Sequence, residues 1–199
     1  MKHDDGIDVQ VRGAQLALIG STLGASWLGM QVVHEFGHVL AAWADGGSVD
    51  RVLLHPLALS RTDVSGVRRP ALVAWAGPLL GSAIPVAGWA VARGLRLVLA
   101  YLPRFFAGFC LVANGAYLGV GAFGGEGDAG DLLRLGFPSW PLVAFGLVAV
   151  AAGLRIWHGL GPRFGLGQAR GRVDPRAVGW ASALLTAVAA VELGVAALR

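Results

Sequence analysis

Charge is what this chain has least of. Only 14% of its 199 residues are Asp, Glu, Lys or Arg, against the roughly 25% usual in a soluble domain. The 55% hydrophobic content points the same way. An ordinary water-soluble globule is thereby excluded, and lipid is read as the solvent. A single cysteine, Cys110, rules out an internal disulfide; lying in an apolar stretch, it reads as a small buried hydrophobe. Apart from Lys2 the cations are all arginine, scattered singly or in pairs rather than clustered on one face. That excludes a nucleic-acid surface despite a pI near 10.2. Arg69, Arg93, Arg96, Arg155 and Arg176 read instead as interface anchors at the ends of apolar spans.

Five apolar stretches are present: Ala14 to about Trp43, Pro70 to about Val91, Leu97 or Arg104 to Phe123, Trp140 to about Trp157, and Ala177 to Leu198. Most match the ~20 residues that cross ~30 Å of hydrocarbon. The chain is expected to be an all-α polytopic membrane protein, one domain over residues 1–199 with a short polar N-terminus at 1–13. No cleavable signal peptide is expected, because the opening residues are polar and mostly acidic. Gly46-Gly47-Ser48 should end the first helix. The β-branched, leucine-rich run after it predicts a short interfacial β-hairpin over 48–63, which must avoid bare lipid because its edge groups would go unpaired. Such an edge could also pair with an extended peptide. His55 sits beside Pro56 and reads as part of a turn, and Arg61-Thr62-Asp63 is expected to turn the chain back at the end of the hairpin.

Among so few charges, His34-Glu35-Phe36-Gly37-His38 stands out. Histidines at i and i+4 share one helix face, so both rings can reach one metal ion, while Glu35 points about 100° away. Zinc hydrolysis needs this arrangement: two imidazole ligands, an open position for water and a carboxylate as base. At this composition, chance supplies an H-E-x-x-H only about 0.002 times per chain. A third ligand is needed. Glu126, Asp128 and Asp131, in a glycine-rich loop after an apolar span, are the strongest source, with His158 and Glu192 the other candidates. The small residues Gly20, Ser21, Gly24, Ala25, Ser26 and Gly29 are a helix-packing stripe.

These motifs resemble the site-2 proteases, intramembrane zinc metalloproteases, over about residues 26–134. His34, Glu35 and His38 match the family's first motif. Asp128-Ala129-Gly130-Asp131-Leu132-Leu133 aligns with its later aspartate motif, and Ala76-Gly77-Pro78-Leu79-Leu80-Gly81 with its Gly-Pro element. The resemblance selects Asp128 as third ligand and leaves Asp131 at a variable position. It implies one zinc per chain, Glu35 as general base, and cleavage of peptide bonds in or near the transmembrane segments of membrane-anchored substrates. Val120 and Phe123 stand where the family carries Asn-x-x-Pro, so Asn114, six residues upstream, becomes the candidate oxyanion or substrate-positioning group. A non-proteolytic metal-binding homologue, acting as membrane chaperone or regulator, is the alternative that these departures support.

Localisation is expected to be multi-pass in the cell membrane. With the N-terminus outside, six basic residues fall inside and ten outside, so charge counting favours the reverse orientation. The resemblance implies that the metal helix runs toward the cytosol, and that orientation is adopted here.

Overall fold

The computed structural model describes residues 2–57 and 60–197. Helix α1 (Lys2–Ala44) is followed by strands β1 (Ser48–Leu53) and β2 (Arg61–Ser65). Helices α2 (Pro70–Gly94), α3 (Tyr101–Gly124), the short α4 (Gly127–Arg134), α5 (Ser139–Trp157) and α6 (Pro175–Ala197) complete it, with 3-10 turns at Gly161–Phe164 and Gly167–Ala169. Among the described residues, five helices are long and apolar enough to cross a membrane: Gln10–Ala44, Pro70–Gly94, Tyr101–Gly124, Ser139–Trp157 and Pro175–Ala196. The chain is a multi-pass, mainly helical membrane protein with a two-stranded antiparallel hairpin after its first helix.

The hairpin pairs Ser48 with Ser65 and Leu53 with Arg61, with an irregularity between Val49 and Arg51. It reaches two residues beyond the expected 63. Arg61, Thr62 and Asp63, expected to turn the chain back, lie in the returning strand. The reversal lies earlier, where His55 Nδ1 accepts from the Leu57 amide at 3.1 Å; positions 58 and 59 of the expected hairpin lie outside the described residues.

Asp45 ties the ends of α1 and α2 together. Its Oδ2 accepts from the amides of Arg68 (2.5 Å) and Arg69 (2.6 Å), and Oδ1 accepts from Arg69 Nε at 2.7 Å. Those amides lie where a helix start lacks intrahelical acceptors, so one carboxylate satisfies them while closing the base of the hairpin.

Three buried clusters hold the helices. Leu18, Leu160, Phe164, Ala177 and Ala181 join α1 to α6. Ala41, Val73 and Ala76 join α1 to α2, with Val64 of the hairpin against them. Ala74, Leu118, Ala122, Ala129, Leu132 and Leu142 bring together α2, α3, α4 and α5. The last cluster positions α4: Leu132 is fully buried, and it fixes a helix too short to be stable alone. In α1 the small-residue stripe packs as expected over part of its length, with Ser21 bonded to Ser182, Gly24 against Leu185 and Gly29 against Phe106.

Candidate metal centre

His34 and His38 lie one turn apart on α1, as the i, i+4 spacing requires, and both are buried. Gly125 and Gly127 have φ of 69° and 57°, left-handed values that glycine adopts without strain. They turn the chain sharply out of α3 and deliver Asp128, in the first turn of α4, to the two imidazoles. His34 Nε2 lies 3.1 Å from His38 Nε2 and 3.0 Å from Asp128 Oδ2, and His38 Nε2 lies 3.4 Å from Asp128 Oδ1. A tetrahedron with 2.0–2.1 Å zinc–nitrogen bonds has edges of about 3.3 Å. The three donors therefore stand at nearly the spacing that a single small ion requires.

The far sides of both rings are pinned. His38 Nδ1 lies 2.8 Å from the Val73 carbonyl, which can only accept, so Nδ1 carries the proton. Asn114 donates its amide to the Cys110 carbonyl at 2.9 Å, which turns Oδ1 toward His34 Nδ1 at 2.6 Å. In the neutral rings both Nε2 lone pairs then point into the triad, the outer-shell arrangement that fixes tautomer and orientation in metal sites. Asn114 is 1% exposed and engaged at both ends of its amide. It stands behind His34, on the side of the ring away from the triad, where it orients that imidazole.

Helix α2 closes the other wall. A Cβ added to Gly77 would lie 2.3 Å from His38 Nε2 and 2.8 Å from His34 Nε2. The Gly-Pro segment thus leaves room at the ligand atoms that any side chain would fill. Asp128 is half-buried, which by itself would raise its pKa; the hydrogen bonds and charge that protonated His34 and His38 offer it outweigh this and bring it down to about 2.

Glu35 is 3% exposed and stands off the ligand face, with Oε2 accepting from the Thr62 hydroxyl at 2.6 Å. A cavity of about 1010 Å³ joins these groups, and Arg61, Asp63, Asp131 and Arg134 line it too. The exposed side chains of Arg61, Asp131 and Arg134 give the site a polar mouth, so water can reach it.

Asp131 pairs with Arg134 at the surface and does not enter the triad. Glu126 precedes α4 and lines the cavity. His55, His158 and Glu192 lie outside the ligand group. Sequence reading missed three partners: the Val73 carbonyl, Thr62, and Tyr117. The Tyr117 ring meets His34 edge-on at 5.8 Å, and its hydroxyl accepts from the Asp128 amide at 3.3 Å. Tyr117 stands three residues after Asn114 on the same helix face, which is the one signal that could have found it.

Comparison with protein-family models, characterised proteins and solved structures gives no match to this chain. The functional reading therefore stands on the site itself.

Proposed function

We propose that the protein is an intramembrane zinc metalloprotease that hydrolyses peptide bonds in or near transmembrane segments of membrane-anchored proteins, as its likeness to the site-2 proteases implies. One observation carries the reading: the His34, His38 and Asp128 donors converge within 3.4 Å of one another, and a buried carboxylate, Glu35, stands beside but outside them. Structural ion pairs do not need that combination. The donor set, two imidazoles and a carboxylate with an open side, is that of a catalytic zinc site.

His34, His38 and Asp128 would hold the ion, which when bound supplies Lewis acidity and brings the pKa of water toward ~7. Asn114 and the Val73 carbonyl keep both Nε2 atoms turned inward. Glu35 takes a proton from the attacking water on Oε1, since Oε2 is held by Thr62, and returns it to the leaving amide nitrogen. A helical substrate has its backbone groups already bonded, so segments weakened by glycine or proline are the preferred class. The cell membrane is the proposed location, with the hairpin side toward the cytosol.

Proteomics of membrane-anchored proteins in cells carrying wild type or Glu35→Gln tests this. Fragments of at least one membrane-anchored protein should appear with wild type and be missing with the variant. Identical fragment patterns would remove the proteolytic reading. They would leave the second one, a metal-binding chaperone or regulator, which the altered Asn-x-x-Pro positions favour: Val120 and Phe123 are 70% and 81% exposed and contribute nothing to the site.

A further inference from the structure

The chain entering and forming β2 meets the metal-bearing helix at two points. The Ser60 amide donates to Gln31 Oε1 at 3.1 Å, and the Thr62 hydroxyl donates to Glu35 Oε2 at 2.6 Å. Two residues of extended chain rise about 6.8 Å, and one i to i+4 step of helix about 6 Å. Strand and helix therefore run in step, and both bonds form in one seating of the hairpin. Gln31 is itself 3% exposed, so the acceptor end of the first bond is buried.

Among the described residues, Thr62 is the only hydrogen-bond donor to the Glu35 carboxylate. The metal ligands are held by quite different groups: Asn114 on α3 and the Val73 carbonyl on α2. We infer that Thr62 is a positioning residue for the general base, holding Glu35 Oε2 from the hairpin so that Oε1 is left for the proton. The inference rests on the proteolytic reading, because only there does the orientation of Glu35 govern a rate. Base and metal are thus set by separate elements, and displacing the hairpin costs turnover without costing metal. A carboxylate has lone pairs to spare on each oxygen, so one donor at Oε2 fixes the side chain without consuming it.

The test uses the zinc-loaded full chain and a panel of synthetic transmembrane peptides with a central Gly-Pro. Thr62→Val keeps the shape and removes the hydroxyl; it should lower kcat by about tenfold with KM and zinc content unchanged, the scale expected when a base loses its orientation. Thr62→Ser should restore kcat to within about twofold. A second readout needs no metal: hydrogen exchange of residues 60–65 in metal-free protein. Thr62→Val and Glu35→Leu should each speed exchange, and the double variant should be no faster than either, because both remove the same bond. Wild-type or increased kcat in Thr62→Val, failure of Thr62→Ser to rescue, or additive exchange effects would each overturn the inference. If zinc-loaded wild type cleaves no peptide of the panel, the proteolytic reading falls and the positioning role falls with it. Coupled exchange would in that case still assign the Thr62–Glu35 contact.

Discussion

At the residue scale, the candidate metal site depends on atoms outside its three donors. Gly77 is the sharpest case. Gly77→Ala would place a methyl carbon 2.3 Å from His38 Nε2, and the ring cannot swing aside without breaking its bond to the Val73 carbonyl. Zinc occupancy should therefore collapse, as measured by elemental analysis of purified protein. Retention of wild-type zinc would show that α2 sits farther from the imidazoles. Asn114→Leu should weaken zinc binding by about 10–100-fold, whereas Asn114→Asp, which keeps an acceptor for His34, should lose less. Equal losses would mean that Asn114 acts by packing. Asp128→Ala should strip the metal, while Asp131→Ala, which loses only a surface pair with Arg134, should keep it.

What was legible at this scale follows from how local each signal is. His34, Glu35 and His38 are fixed relative to one another by helical periodicity alone, so the sequence displays them together. Asp128 lies 94 residues from His34, and its separation from Glu126 and Asp131 rested on the family alignment. A backbone carbonyl such as Val73 O has no sequence signature at all. Thr62 looked like a turn residue because nothing in its neighbours announces that the strand continues through it.

At the scale of elements, the hairpin and α4 are small pieces held by neighbours. The hairpin was readable from β-branched density, but its end was not: Arg61-Thr62-Asp63 is polar because one face meets water and Glu35, not because the chain turns there. For α4, Leu132 in the core and the left-handed glycines decide the placement. The Asp45 clamp makes the hairpin base pH-sensitive. Hydrogen bonds from the Arg69 side chain and amide, with help from Arg68, hold the Asp45 carboxyl below its ordinary range. A lowered native pKa means that its stabilisation is complete above the unfolded value of about 3.9 and fades as pH falls through the native one. The Tm of wild type should therefore exceed that of Asp45→Asn at pH 7, with the gap closing as the pH drops below about 4. A gap that stays constant down to pH 2 would show that the carboxylate charge contributes nothing.

At the scale of the whole molecule, composition was enough. Scarce charge and five apolar runs predict five spanning helices, and each run coincides with one within a few residues at most ends. The larger misses are at the start of α1, which begins well before Ala14, and at the uncertain start of the third run, which the structure places at Tyr101. Five crossings put the loops alternately on two sides. The native Cys110 is buried, so cysteines introduced at Leu57 and Phe137 should label from one side of the membrane, and those at Arg96 and Leu166 from the other. Labelling of Leu57 and Arg96 positions from the same side would contradict the span count.

The central claim is that one residue divides metal binding from chemistry. It is tested most directly by measuring zinc content and peptide cleavage in the same preparations of wild type and Glu35→Gln. Glu35 stands off the ligand face, so the variant should keep about one zinc per chain while cleavage falls by about 10²–10⁴-fold. Loss of zinc from Glu35→Gln, or cleavage at the wild-type rate, would contradict the account.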